Sequence, residues 1–363
     1  MRYKLLLILI FICCGSLHAQ TYGAIELLFS PSTKSNGIGE CGVSRAYDKS
    51  MYSNPAVLGI YAKENRQSVS IFPIKSNIIA DINFSNRFVV IPFQRYTPES
   101  KYLFTLGAYS SSTKLGIYQE TSVDFPDGTG NYFQPHLQNH NLVFSVAYIN
   151  NMHISIGGTF KAFKENIFEV ETKGTAFDLG FLIHYPLIQK SQEVSTYFQP
   201  AFGASIRNLG KDVDMGVGMF RSNEGSASKF KLPKVTSFGM TLELGVLDTT
   251  KPAEQIYAFY PTIELVKQLD YDYYNRLGFE AEIYKAISFR IGFINERYGE
   301  NITTKGFSFD LQHFLWMLDP SLSEATSDIG SLFGKYLSVE YSYAKNSDDV
   351  SYQELTIHTV LFY

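Results

Sequence analysis

Residues 351–363 read SYQELTIHTVLFY. Leu355, Ile357, Leu361 and Tyr363 share one side of a period-two alternation, with Thr359 the polar exception. Domains usually trail off in a few polar, frayed residues. This stretch keeps alternating as far as Phe362 and Tyr363, so an aromatic strand stands where a tail is the usual finding. What that strand pairs with decides the fold.

The same alternation recurs upstream. One face carries Tyr102, Phe104, Leu106 and Ala108. Others carry Leu142, Phe144, Val146 and Tyr148; Phe177, Leu179, Phe181 and Ile183; or Ile287, Phe289, Ile291 and Phe293. Similar runs cover 154–162, 238–244, 277–283 and 337–343. The opposite faces read Ser155, Gly157, Thr159, Lys161; Asp178, Gly180; Ser237, Gly239, Thr241, Glu243; Gly278, Glu280, Glu282; Ser288, Arg290, Gly292; Ser338, Glu340, Ser342. One face is greasy and the other is small or charged. A soluble β-sandwich also gives this pattern, with the greasy face inward. Three features favour a membrane barrel. The runs approach the ~9–11 residues of a tilted membrane strand. Tyr and Phe gather near the strand ends, as in interfacial girdles. There is also more strand than one sandwich uses. A bilayer accepts strands only in a closed barrel, because every backbone donor must be paired. The last strand of such a barrel pairs with the first, and its terminal aromatic, here Phe362 and Tyr363, is the signal read by the barrel-assembly machinery.

Composition agrees. The 363 residues are 18% charged and 15% aromatic, with 29 Phe and 25 Tyr and a formal net charge of −4. That balance argues against nucleic acid as a partner. Residues 1–19 of MRYKLLLILIFICCGSLHAQ have basic Arg2 and Lys4, an apolar core from Leu5 to Leu17 and small Ala19, the pattern of a cleaved signal peptide. The apolar run is short for a membrane anchor. A lipoprotein cut before Cys13 or Cys14 lacks the usual preceding small residue. Cleavage leaves Cys41 alone, so no internal disulfide is available.

Segment 20–65 alternates poorly and is rich in Gly, Ser and Asn. It contains Gly37, Gly39 and Gly42 at G-x-G-x-x-G spacing, without the strand-turn-helix context a dinucleotide site needs. The expectation is a tightly folded coil. His136 and His140 are four apart but follow Pro135, which reads as a loop rather than a metal-bearing helix. No G-x-S-x-G accompanies His153, His184 or His358, so no enzyme and no cofactor is expected. Between residues 67 and 363 there are roughly fourteen to sixteen candidate strands, with 67–93 divisible in two ways. Pro73, Pro92 and Pro261 are expected at strand ends or bulges. Segment 313–335 is expected to hold a short amphipathic helix.

In GIGECGVS (37–44), Asp48 and YSNPAVLG (52–59), the segment resembles the N-terminal plug of the outer-membrane PorV/PorQ family, relatives of the FadL-type barrels. The resemblance continues through ASIRNLG (204–210), LPKVTSFGMTLE (232–243), RLGFEAEIYKAISFRIGF (276–293), KGFSFDL (305–311) and LSVEYSYA (337–344). It implies an all-β, transmembrane antiparallel β-barrel of about fourteen strands over 66–363 with 20–65 folded inside as a hatch. It singles out Asn54, Pro55 and Ala56 in the hatch, and Arg207, Asn208 and Gly210 in the wall. Gly37-Ile38-Gly39-Glu40 stands where the family usually reads Leu-Gly-Met-Gly, which leaves the subfamily open.

The resemblance implies two functions. PorV-like members serve type IX secretion by capturing exported cargo proteins, with loops such as 211–233 and 313–335 as extracellular working parts. FadL-like members carry hydrophobic small molecules and release them sideways where a strand is kinked; 67–93 is the candidate here. Glu280, Glu282 and Arg290, on adjacent strands joined by a two-residue hairpin, point to one side as a lumen network that holds the hatch. The polar inward faces favour the secretion reading over a hydrophobic ligand. Asn54→Ala is expected to loosen the hatch.

Overall fold

Alternating aromatic and β-branched residues suit a pleated sheet with two unlike faces, and the alternating runs are strands. The computed structural model describes residues 23–64, 69–71, 74–77, 83–93, 97, 99–119, 130–167, 170–189, 194–214, 229–248, 254–297, 299–318, 337–346 and 351–362. The expected signal peptide and Tyr363 lie outside the described residues. We number the wall strands β1 (Val69–Ile71 with Ile74–Asn77), β2 (Asn83–Pro92), β3 (Tyr102–Lys114), β4 (His136–Tyr148), β5 (His153–Ile167), β6 (Val170–His184, extended by Leu187–Gln189) and β7 (Val194–Leu209). They continue as β8 (Val235–Asp248), β9 (Glu254–Gln268), β10 (Tyr274–Ile283), β11 (Ile287–Arg297), β12 (Glu300–Asp310), β13 (Leu337–Asn346) and β14 (Ser351–Phe362). The sheet comprises 16 strand segments. Joining the two pieces of β1 and the two of β6 leaves fourteen staves among the described residues.

Each stave pairs antiparallel with its neighbours in chain order. The ladder then returns on itself. Ile74 of β1 faces Thr356 of β14 on one side and Asn86 of β2 on the other. The aromatic strand of 351–362 therefore pairs with the first stave, and among the described residues the ring of staves has no open edge.

Side-chain exposure separates this sheet from a sandwich. The apolar face looks outward: Ile156 is 59% and Phe289 55% exposed. The polar face looks inward: Ser145, Ser155, Lys161, Glu280 and Thr304 are completely buried. An apolar outer band over a polar interior is stable only if the band is taken out of water, as in a bilayer. No helix among the described residues is long and apolar enough to cross a membrane.

Some sequence expectations change. Three residues, not two, separate β10 from β11, with Ile283 opposite Ile287 and positive φ at Tyr284 and Lys285. His136 and His140 lie on β4 rather than in a loop, bonded to Ser112 and Ser110 at 2.8 Å. Pro92 ends its strand, but Pro261 sits inside β9, opposite Phe279. Alternation of strand direction also separates two loops grouped together above. The connection after β7 leaves one end of the barrel, whereas the one after β12 leaves the other, beside the start of β1 and the end of β14. Segments 211–233 and 313–335 are therefore not on one surface. The second begins within a helix, Leu311–Leu318.

Segment 23–64 lies inside the ring. It folds as a 3-10 turn (Ile25–Leu28), α1 (Thr33–Gly37), a second 3-10 turn (Asp48–Tyr52) and α2 (Val57–Glu64). The interior has an apolar sector that the mostly polar inward faces read from sequence did not include. Inward Phe88 and Val90 of β2, Leu103 and Tyr109 of β3 and Val143 of β4 pack against Met51, Val57, Leu58 and Ile60. Smaller apolar contacts recur on other staves, Phe163 and Ala176 with Ala24 and Leu27, and Val235, Val266 and Ile294 with Leu28; between them the wall meets the hatch with polar groups.

Candidate functional site

The contact between hatch and wall brings most of the singled-out residues together, and glycine sets its closeness. A Cβ at Gly278 of β10 would stand 2.5 Å from the Ile38 carbonyl, and one at Gly157 of β5 would stand 2.6 Å from the Pro55 carbonyl. At Gly292 of β11 it would overlap the Gly39 backbone. Gly39 itself has φ +72°, a left-handed conformation that favours glycine. Thr304 of β12 then donates to the Gly37 carbonyl at 3.1 Å and accepts from the Gly39 amide at 2.8 Å. The G-x-G-x-x-G stretch is thus a docking coil. Its third glycine, Gly42, donates to the Glu264 carboxylate at 2.7 Å, and Val43 does so at 2.6 Å.

The Asn-Pro-Ala element docks on the opposite wall. Asn54 is fully buried. Its amide donates to the Val43 carbonyl within the hatch at 2.7 Å and to the Phe181 carbonyl of β6 at 2.9 Å, while its oxygen accepts from the Ala56 amide at 3.0 Å. The Ala56 carbonyl accepts from Ser155 at 2.6 Å. One side chain therefore ties two hatch segments to the wall.

Arg207 and Asn208 owe their position to a bulge. The ladder between β6 and β7 shifts register between Ile206 and Leu209, and Asn208 takes φ +59°. A bulge re-aims side chains, and Asn tolerates this conformation, so consecutive Arg207 and Asn208 are both buried. The Arg207 guanidinium lies 4.6 Å over the Tyr52 ring. Asn208 donates to the Pro233 carbonyl at 2.9 Å and accepts from Lys161 at 2.7 Å; Lys161 in turn pairs with Asp178 at 2.8 Å. Gly210 packs close to Leu232 and Thr175.

Two charge clusters clamp the hatch. In the first, Glu280 faces Arg290 across β10 and β11, with the carboxylate accepting from Arg290 Nε at 2.7 Å. Arg45 of the hatch bonds the other Glu280 oxygen and stacks 3.9 Å over the Tyr260 ring. Lys34 reaches Glu280 at 3.2 Å and Glu282 at 3.1 Å. In the second, Glu40 of the hatch accepts from Arg276 and Arg297, each at 2.7 Å. Burial alone would raise the Glu40 pKa, but the Arg297 and Arg276 guanidiniums outweigh it and hold the carboxyl below its ordinary value. At the same barrel end Glu26 behaves oppositely: burial first, then neighbouring Glu165, push its pKa well up. Breaking a buried pair costs ~3–5 kcal/mol, against ~1 kcal/mol for an ordinary hydrogen bond. The clusters therefore dominate the clamp, and the neutral bonds set its register.

Sequence reading missed Glu40, Glu264 and the wall glycines. Their recurrence on inward faces was the available signal, but it reads equally as small filler. Strand pairing also sets His153 opposite His184, with Nδ1 atoms 3.4 Å apart.

A cavity of about 460 Å³ remains at the barrel end that holds the start of β1. Arg45, Tyr47, Ile60, Leu182, Tyr260 and Glu282 are among its lining residues. The wall beside it is thinned. The β8–β9 ladder runs to Thr241 opposite Thr262 and resumes at Leu244 opposite Phe259, skipping the position of Pro261. The β6–β7 ladder is thinned at the same level, between His184 opposite Ala201 and Leu187 opposite Phe198, where Pro186 and Pro200 fall and the Tyr185 amide still donates to the Pro200 carbonyl at 3.0 Å. Proline has no N–H to give the ladder.

No protein-family model matches the chain, and no curated protein does. Among solved structures, the toluene transporter TbuX of Ralstonia pickettii is similar at TM-score 0.46 and 11% identity, covering 92% of this chain and 98% of that one. The toluene transporter TodX of Pseudomonas putida follows at 0.44 and 9%, covering 94% and 98%. The transport unit of the Escherichia coli autotransporter AIDA-I gives 0.38 and 10%, covering 89% and 98%.

Proposed function

We propose that the chain is an outer-membrane β-barrel, inserted by the barrel-assembly machinery, that passes small apolar or amphiphilic molecules through its wall. The observation that carries this reading is the pair of proline-thinned ladders beside the cavity. A wall whose ladders are thinned at Pro186, Pro200 and Pro261 is the least costly place to part strands, and the cavity stands directly behind it. Ile60 and Leu182 bring the apolar sector under α2 to the cavity wall. The opening lies at β6–β9 rather than at 67–93. Uptake of radiolabelled fatty acid and toluene by cells carrying the chain tests this. Pro261→Thr returns an N–H to the ladder and should slow uptake several-fold without changing barrel assembly. Uptake no faster than in cells lacking the chain would sink the reading.

A second reading has its own support. A hatch held by two buried charge clusters and close backbone contacts suits a permanently filled scaffold. The chain would then be a secretion component that binds exported cargo proteins at its surface, as PorV-like proteins do. Exported proteins sharing one C-terminal domain, recovered with the gently extracted chain, would favour it over transport.

A further inference from the structure

We infer that the helix Leu311–Leu318, α3, is an interfacial anchor that binds the bilayer surface at the barrel end holding the start of β1. The inference rests on the membrane-barrel reading. The helix sequence LQHFLWML carries no Asp, Glu, Lys or Arg. It straddles the barrel rim. On the inner side His313 bonds Asp310, which also caps the helix by accepting from the His313 amide at 2.9 Å, and His313 lines the cavity. On the outer side Phe314 packs on Phe309 of β12 with ring centroids 5.0 Å apart. Inward Thr304 fixes the parity of β12, so Phe309 and Phe307 are on its outward face. Phe307 in turn meets Phe289 at 5.5 Å within the exposed apolar band. Phe289, Phe307, Phe309 and Phe314 thus form one continuous aromatic row from wall to helix. Leu311, Phe314 and Leu318 recur at helical spacing, and Leu318 is 64% exposed. An uncharged helix whose apolar stripe continues the lipid-facing band has its match in the region just below the headgroups. A cap over the lumen would instead turn that stripe toward the polar lining of the mouth.

Trp316 is the one tryptophan of the chain, so Trp316→Phe combined with Phe314→Trp leaves a single reporter on the apolar stripe, at the position that meets Phe309. The full chain carrying these changes is reconstituted in phosphatidylcholine vesicles brominated on the acyl chain near the glycerol. The expected result is emission reduced by roughly half or more relative to unbrominated vesicles, as for a group ~5–10 Å into the headgroup boundary. Trp316→Phe combined with Phe144→Trp places the reporter on the outward wall and reports barrel insertion independently. If the Phe144 reporter is quenched by bromine while the Phe314 reporter responds only to aqueous iodide, the anchor is wrong and the barrel stands. If the Phe144 reporter also escapes bromine, the membrane-barrel reading fails and the anchor with it.

Discussion

Glu40 and Glu26 give one hatch two opposite responses to pH. Burial pushes both carboxyls up, but at Glu40 the Arg297 and Arg276 guanidiniums overcome it, whereas at Glu26 the neighbouring Glu165 adds to it. A depressed carboxyl stabilises docking above its unfolded pKa and loses that contribution as pH falls through the folded value; a raised one stabilises below its unfolded pKa and loses it as pH rises through the folded value. Hydrogen exchange should therefore show peptides around Glu40 losing protection on acidification below the ordinary carboxylate range, while those around Glu26 do not. Glu40→Gln should abolish that acid limb, and an unchanged limb in the variant would place its origin elsewhere. Asn54→Ala should strand the Val43 and Phe181 carbonyls. At ~1–3 kcal/mol for a buried unsatisfied group, protease cleavage of the hatch should rise clearly; unchanged resistance would remove Asn54 from the clamp. The prominence of Asn54 came from a family resemblance in the sequence. Its two partners sit 11 and 127 residues away and could not be read there.

At the scale of elements, the alternating faces were legible because a strand repeats every two residues and each run carries its own evidence. The role of the inward glycines was not, since a glycine opposite empty space and one opposite a docked backbone look alike in sequence. Gly292, on an inward face, and Gly158, on the outward face of β5, provide the comparison. A Cβ at Gly292 would overlap Gly39, whereas at Gly158 the nearest atom is the Asp178 carbonyl at 3.6 Å. Gly292→Ala should push the hatch off β11 and raise its exchange rates, while Gly158→Ala should leave them unaltered. Equal behaviour of the two variants would mean that the hatch does not depend on close approach. Pro261 was expected at a strand end by the ordinary rule for sheets. It occupies mid-strand because the lost N–H falls on the β8 side alone, while the β10 ladder stays whole.

For the whole molecule, the question is what fills the ring. A fourteen-stave barrel without its hatch would leave a lumen continuous with both ends. Planar-bilayer recordings should show little conductance for the intact chain and a large, steady conductance once residues 23–64 are removed. Similar conductance in both would mean that the wall and loops close the barrel. Glu280→Ala should fall between them, with intermittent openings, because it strands Arg45 and Arg290 without deleting the hatch.

The sequence by itself determined that the chain is a succession of two-faced strands, since period-two alternation is local and survives without knowledge of partners. It also placed Glu280, Glu282 and Arg290 on one side, because hairpin neighbours share parity. The barrel reading anticipated that the polar face is inside and that the last strand meets the first; tertiary structure decided the register of that closure, that the connections after β7 and β12 leave from opposite ends, and that the lumen has an apolar sector. Each of these depends on pairing between residues far apart in the chain, and a repeating local pattern carries no record of which strand lies across the ring.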